Sequence, residues 1–240
     1  SKVYFTPTFI GAEQLDASQP AMYVGNHSLY GVLDSPMLID YLYNEHQVAV
    51  VSIADHSHFY LPLWRSVVKK FGAVDGVPAY VREAMQQGYS ILVFPGGGRE
   101  VLKREGEQYQ LIWKQRYGFL KLAQEFGYDI VPFAALGGDE VFDIGFDANK
   151  VVQHQYFQKL LQVPQLSRLL RKGEVIPSLP KHLIPKRLPF YFKFMPRQRL
   201  MHIENLEQLQ QFRDLIAAEI YIGLADLRVL RQQQHGDRFD

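Results

Sequence analysis

Gly25-Asn26-His27-Ser28-Leu29-Tyr30-Gly31-Val32-Leu33-Asp34-Ser35-Pro36 follows directly on the apolar run Ala21-Met22-Tyr23-Val24. That run predicts a buried strand. His27 then sits at its C-terminal lip, the edge where open α/β sheets hold their ligands. Asp34 opens the pattern Met37, Leu38, Tyr41, Leu42, spaced like one face of a helix, with Asp and Ser-Pro as start signals. A strand, an imidazole, a turn and a carboxylate therefore follow one another. Imidazole changes charge near neutrality, and a carboxylate on its second nitrogen fixes the tautomer and steadies the imidazolium, so the pair suits proton removal from a hydroxyl. A strand-end histidine and an N-capping aspartate that never meet would leave the same trace.

Working outward, Val48 to Ile53 and Ser90 to Phe94 read as further buried strands, and Ile130 to Ala134 as another whose Pro132 predicts an irregular or edge position. Helices are expected from Leu61 to Phe71, from Pro78 to Gln87, and from Gln115 to Phe126 with Gly127 as stop. Val3 to Ile10, with Pro7, reads as an edge strand or extended entry. Strands alternating with helices predict an α/β fold, a largely parallel mixed sheet flanked by helices. The strand Ser90 to Phe94 runs into Pro95-Gly96-Gly97-Gly98-Arg99-Glu100, where glycines let backbone N–H groups approach a ligand and Arg99 adds charge: an anion or oxyanion holder, or simply a tight turn. It lacks the Lys-Ser/Thr ending of a P-loop.

The 240 residues, 47% hydrophobic, suffice for one substantial core, and a single domain is expected over 1–240. Within it, 1–162 reads as an α/β catalytic core. The remainder, 163–240, reads as a basic, proline-rich, membrane-facing segment followed by a helix from Glu204 to Gln232 whose apolar face includes Leu206, Leu209, Leu215, Ile216, Ile220 and Leu224. Between Val163 and His202, Arg168, Arg171, Lys172, Lys181, Lys186, Arg187, Lys193, Arg197 and Arg199 face only Glu174. They interleave with Leu183, Ile184, Phe190, Phe192 and Phe194, a composition suited to an anionic membrane surface or to basic surface over packed hydrophobics.

A net charge of +1 gives no push toward nucleic acid, and none is expected as a partner. The absence of cysteine removes disulfides, thiolate metal sites and thiol nucleophiles together. Apolar runs fall short of the roughly 20 residues that span a bilayer, and the first residues carry no signal-peptide pattern. Asp55-His56-Ser57-His58 contains a metal-like pair without an evident third ligand, so no metal is expected. Gly137-Gly138-Asp139-Glu140 mimics the tetrapeptide of diguanylate cyclases but lacks their upstream acidic metal ligand.

The order of these motifs resembles the glycerolipid, lysophospholipid-type acyltransferase superfamily, and within it the branch of diacylglycerol and phytyl ester acyltransferases. Asn26-His27 through Asp34 resembles its first block, Phe94 to Glu100 its third and Val131-Pro132 its fourth; Arg116-Tyr117-Gly118-Phe119 with Leu122-Ala123 and Gly127 resembles the neutral-lipid branch. The resemblance covers about Val3 to Glu140. It implies catalytic roles for His27, as general base, and Asp34, as its support, with Asn26, Gly96, Gly97, Gly98, Arg99, Glu100 and Pro132 at the substrates. No cofactor is implied, acyl-CoA or an acyl carrier protein being the donor, and the acceptor is a lipid hydroxyl. The implied location is peripheral, on the cytoplasmic face of a membrane.

The chain departs from the family pattern in three places. Six residues rather than four separate His27 from Asp34, so either Gly31 helps a turn or Asp34 acts less directly. Gly76 stands where a phosphate-gripping arginine is usual, and Gly96 where a glutamate is usual. Both losses point to a neutral alcohol, and Gly96 is expected to leave room beside the base. A lysophospholipid or glycerol-phosphate acyltransferase, a lipid esterase and a non-catalytic lipid-binding protein remain the alternatives; the esterase lacks a Gly-x-Ser-x-Gly elbow.

Overall fold

The computed structural model describes residues 2–54, 73–170, 176–200 and 202–236. The expected Asp55 to His58 pair, the Leu61 to Phe71 helix, and Arg171, Lys172 and Glu174 lie outside them. Seven strands form one sheet in the order β1-β9-β6-β2-β5-β3-β4. They are β1 (Thr8–Ile10), β2 (Ala21–Gly25), β3 (Val50–Ala54), β4 (Ala73–Asp75), β5 (Ser90–Val93), β6 (Asp129–Leu136) and β9 (Tyr191–Phe194). The five from β6 to β4 are parallel; β9 runs antiparallel to β6, and β1 lies parallel to β9. The sheet is thus mixed, and β1 is an edge strand. A small second sheet pairs β7 (Ile144–Phe146) with β8 (Leu179–Pro180).

Central β2 is buried along its whole length because both faces are covered. Met22 and Val24 join one core cluster, with residues of α2 (Pro78–Gln86), α4 (Gly118–Phe126) and α8 (Leu206–His235); Ala21 and Tyr23 join the other, against Met37, Leu38 and Leu42 of α1 (Asp34–His46). The period-two alternation of strand side chains makes this division. Gln47, in left-handed conformation (φ 57°), ends α1 by turning its N–H back to Leu42 and Tyr43. Between β5 and α4 lies the short α3 (Gly97–Val101), and between β7 and β8 the short helices α5 (Asn149–Val152), α6 (Gln155–Leu160) and α7 (Pro164–Leu169). Helix α4 begins three residues later than its apolar pattern suggests. Arg116 stays outside it, with its N–H on the Trp113 carbonyl and its guanidinium on the carbonyls of Pro95 and Gly96.

Two expectations are corrected here. Pro132 lies on an interior strand, between β2 and β9, and not at an edge. Its carbonyl accepts from Met195, and since N and C=O of one strand residue share a side, its missing donor also faces β9. There the ladder ends, β9 leaving regular pairing between Met195 and the bridge at Gln198, so the missing donor falls on its last rung. Second, the phenylalanines expected to interleave with the basic residues of 163–202 at a surface are core: Phe190, Phe192 and Phe194 are fully buried, each stabilising by about 1.5–3 kcal/mol. Lys193 pairs with Asp226, and Arg197 holds the Asp16 and Gln19 carbonyls and faces Asp129. From 163–240, β9 joins the sheet and α8 packs on β6 and β9. Leu206 and Leu215 of α8 are exposed, whereas Leu209, Ile216, Ile220, Leu224 and Leu227 are buried. No helix among the described residues is long and apolar enough to cross a membrane.

Candidate active site

The ends of β2 and β5 lie side by side, in register at Val24 and Val93. From β2 the chain passes through Asn26, whose side-chain amide donates to the Ala135 carbonyl (2.9 Å) and accepts from the Ala135 N–H (2.8 Å), extending the β2–β6 ladder by one side chain. Asn26 is thereby a buried brace on the strand end. His27 comes next. Its Nδ1 lies 2.8 Å from Asp34 Oδ2, and its ring stacks on Phe94, the residue after β5, with centroids 3.9 Å apart.

The six intervening residues close into a turn because Tyr30 (φ 63°) and Gly31 (φ 64°) are both left-handed, with the Gly31 N–H on the Ser28 carbonyl and the Tyr30 N–H on the Val101 carbonyl. Gly31 also meets the imidazole: a Cβ there would lie 2.7 Å from both Cε1 and Nε2 of His27. Asp34 thus reaches the imidazole directly despite the longer spacing.

Asp34 is buried and accepts further bonds from the backbone N–H groups of Ser28 (2.7 Å) and Ser35 (2.8 Å). Burial, the largest single influence, opposes ionisation, but the nearby His27 and these hydrogen bonds together outweigh it and pull the carboxyl down to about 2. An ionised carboxylate only accepts, so the proton of a neutral imidazole is on Nδ1 and the lone pair is left on Nε2, the atom that can take a proton from a substrate. The His27 side chain is 14% exposed.

The glycine turn after β5 is built differently. Gly97 (φ 47°) donates its N–H to the Phe94 carbonyl. Gly96 has no room for a side chain, since a Cβ there would lie 2.0 Å from Glu100 Cδ. The expected space beside the base is therefore filled, and by a carboxylate. Glu100 is fully buried and accepts from the backbone N–H groups of His27 (2.9 Å) and Ile112 (2.9 Å). Arg99 is folded back onto Glu107 and the Leu102 carbonyl. Gly98 lies within α3. Pro132, opposite Val24 in the sheet, lies one strand over from the His27 turn. The structure thus brings Asn26, His27, Asp34, Gly96 and Glu100 into one cluster, with Arg99 turned away into a neighbouring ion pair.

Two residues escaped the sequence reading. Lys103 Nζ, buried, donates to the His27 carbonyl (2.6 Å) and to Asp139 (2.7 Å). Asp139 in turn accepts from the N–H groups of Leu29 (2.7 Å) and Tyr109 (2.6 Å). The available signal was Gly137-Gly138-Asp139, a turn placed right after β6 and so at the same sheet edge. Among the described residues no group of three or more His, Cys, Asp and Glu could hold a metal.

Beside Phe94 a groove of about 850 Å³ opens, walled by Ile53, Val77, Val81, Val93, Phe119 and Leu122. On its rim Arg82 and Glu125 form a two-pronged ion pair at 2.8 and 2.9 Å.

A histidine–carboxylate pair stands at the C-terminal edge of a mostly parallel sheet, and among the described residues no nucleophilic side chain is hydrogen-bonded to the imidazole, an arrangement that a group-transfer site built on a base would use. The model of the acyltransferase family matches residues 6–135, more than half of the chain, and the protein belongs to that family. Phytyl ester synthase 2, chloroplastic, of Arabidopsis thaliana is 34% identical over 145 residues, covering 57% of this chain and 20% of that protein. Phytyl ester synthase 1, chloroplastic, of the same plant is 27% identical over 233 residues, covering 89% of this chain and 33% of that protein. The chain thus spans a fifth to a third of the length of these curated relatives. The crystal structure of the 1-acyl-sn-glycerophosphate acyltransferase PlsC from Thermotoga maritima shares the fold, with a TM-score of 0.55 at 15% identity, covering 92% of this chain and 72% of that one.

Proposed function

We propose that the protein transfers a fatty acyl group from a thioester, acyl-CoA or an acyl carrier protein, to the hydroxyl of a lipid. The observation that carries this is the 2.8 Å contact of His27 Nδ1 with Asp34, whose carboxyl is pulled down to about 2. His27 Nε2 takes the proton of the acceptor hydroxyl as its oxygen attacks the thioester carbonyl. The tetrahedral intermediate then collapses, the C–S bond breaks, and the imidazolium returns the proton to the thiolate. The backbone turn Gly96–Gly98, free of side chains at the adjoining strand end, is the place for the thioester carbonyl.

The acceptor is a neutral alcohol, diacylglycerol or a long-chain isoprenoid alcohol. A bound phosphate needs cationic or bidentate partners, and of the three cationic side chains around the groove Arg82 is paired with Glu125 and Arg116 holds two carbonyls, leaving Lys121 as a single point charge, while Gly76 brings none. The names of the Arabidopsis relatives support the same branch.

The protein acts at a membrane surface, on the anionic cytoplasmic leaflet. Leu183 (87% exposed) and Ile184 (78% exposed) stand out beside Lys181 and His182, with Lys186 on Asp143 and Arg187 on Tyr4 next to them, a combination of apolar and basic groups that suits an anionic interface. The Tyr30 hydroxyl bonds the Ser178 carbonyl and so ties this segment to the His27 turn.

Purified protein is incubated with labelled acyl-CoA and acyl carrier protein thioesters, anionic vesicles, and a panel of neutral and phosphorylated acceptors. Ester on a neutral alcohol is expected. Free acid alone makes the protein a hydrolase, no turnover makes it a binder, and a tenfold preference for phosphorylated acceptors reverses the assignment of the acceptor. Leu183→Ser with Ile184→Ser is expected to release the protein from the vesicles; unchanged binding rules out this surface.

A further inference from the structure

Every backbone N–H from His27 to Gly31 has a partner: Glu100 for His27, Asp34 for Ser28, Asp139 for Leu29, and the carbonyls of Val101 and Ser28 for Tyr30 and Gly31. The carbonyl of His27 is taken by Lys103. Of these partners only Asp34 is hydrogen-bonded to the imidazole. Glu100 and Lys103 grip the backbone of the same residue from its two ends, N–H and C=O, and they do so from a single stretch, α3 and the residue two beyond it.

We propose that Glu100 and Lys103 are positioning residues for the His27 base, a clamp on its main chain that sets where the ring meets Asp34 and where Nε2 meets the acceptor. Two features set this apart from ordinary loop support. Burying a carboxylate and an ammonium costs several kcal/mol per ion unless each is well bonded, and both are buried here with one bond each on the His27 main chain, the other going to the Ile112 N–H from Glu100 and to Asp139 from Lys103. Moreover, Gly96 gives up its own side chain so that Glu100 can occupy that volume, a Cβ on 96 falling 2.0 Å from Glu100 Cδ. Lys103 is itself held by Asp139, which also binds the Leu29 and Tyr109 N–H groups, so the clamp spans the ends of β2, β5 and β6. The imidazole has one face on Phe94 and one edge on Gly31. Its remaining freedom is displacement along its own backbone, which is the motion the clamp removes.

The proposal rests on His27 as the base, and its test separates the two. In Glu100→Gln, which keeps shape but turns an amide NH₂ toward one of two N–H donors, and in Lys103→Met, which removes the donor at similar length, kcat is expected to fall about 10- to 100-fold with KM within about threefold. A misplacement near 1 Å costs on that order. Lys103→Arg is expected to restore part of kcat. In protein labelled with ¹⁵N-histidine, the His27 Nδ1–H proton, assigned by its disappearance in His27→Gln, is expected to shift in both variants. Unchanged kcat with an unmoved resonance overturns the clamp, as does a loss of kcat that follows a lowered melting temperature while the resonance stays in place. If Lys103→Met fails to fold, Glu100→Gln carries the test alone. If the wild type transfers no acyl group, the proposed function falls, and the resonance still decides the clamp.

Discussion

Two turns leave adjacent parallel strands, Gly25 to Asp34 after β2 and Phe94 to Lys103 after β5, and each brings a buried carboxylate to His27. Their electrostatics are opposed. Burial works against the charge of both, but Asp34 has the imidazole and the Ser28 and Ser35 N–H groups on it and is pulled down to about 2. Glu100 is bonded by two backbone N–H groups with Lys103 nearby, and burial still wins, pushing its carboxyl up. Depth alone therefore does not decide a carboxylate's charge; the donors that face it do. Asp34 is held ionised against the ring, whereas Glu100 offers the position of its oxygens to two backbone N–H groups.

The largest effect is expected in the first turn. His27→Ala removes the base and is expected to lower kcat by about 10² to 10⁴ with normal circular dichroism; activity within a few-fold of wild type would remove His27 from the mechanism. Asp34→Asn keeps the shape but loses the charge and can hold the wrong tautomer. With the pair at 2.8 Å its loss should approach that of His27→Ala, and a loss below tenfold would mean the carboxylate is a cap for the turn only.

Next comes Gly31→Ala. The left-handed φ of 64° and the 2.7 Å approach to Cε1 and Nε2 put the new methyl at the reactive edge of the ring. Strain of about 1–3 kcal/mol and a fall in kcat/KM of about 10²-fold are expected, greater for a bulky alcohol than for thioester hydrolysis by water. Equal losses for both would show that residue 31 shapes the turn and not access to the base.

A smaller effect is expected in the second turn. Gly96→Ala drives a methyl into Glu100, and overpacking of this kind costs about 1–3 kcal/mol. Adding Glu100→Ala should restore the thermal midpoint without restoring kcat, for the clash is gone but so is the bond to the His27 N–H. Recovery of both would show that Glu100 only fills space.

The same contrast explains what could be read in the sequence. His27 and Asp34 were legible because they punctuate an apolar strand and an amphipathic helix, patterns that survive in one dimension. The closure of their turn was not, since it depends on Tyr30 adopting a positive φ, which its residue type does not announce. Glu100 was visible as part of a motif, but its part in bracing His27 is a contact across 73 residues, and the Lys103–Asp139 bridge spans 36. Such buried pairs leave no period to detect. Strand β9 was hidden for another reason: Phe190, Phe192 and Phe194 alternate as a strand should, but lie among basic residues whose charges are met by side chains and carbonyls from elsewhere in the chain, such as Asp226 for Lys193.

The smallest effect concerns stability against pH and tests the two carboxylates directly. Asp34 has a folded value below its unfolded one, so the stability it contributes is present above about pH 4 and is lost as pH falls toward 2; a lowering of that size is worth about 2 kcal/mol. Glu100 has a folded value raised above its unfolded one, so its contribution has the opposite sign: full at acid pH below the unfolded value, and lost as pH rises through the folded value. The two slopes together predict a shallow maximum in the urea midpoint between these windows. In Asp34→Asn the midpoint should fall less steeply below pH 4, and in Glu100→Gln the decline on the alkaline side should flatten. If Glu100→Gln leaves the alkaline side unchanged, Glu100 is ionised in the fold as readily as in the unfolded chain, and the contrast between the two turns reduces to geometry alone.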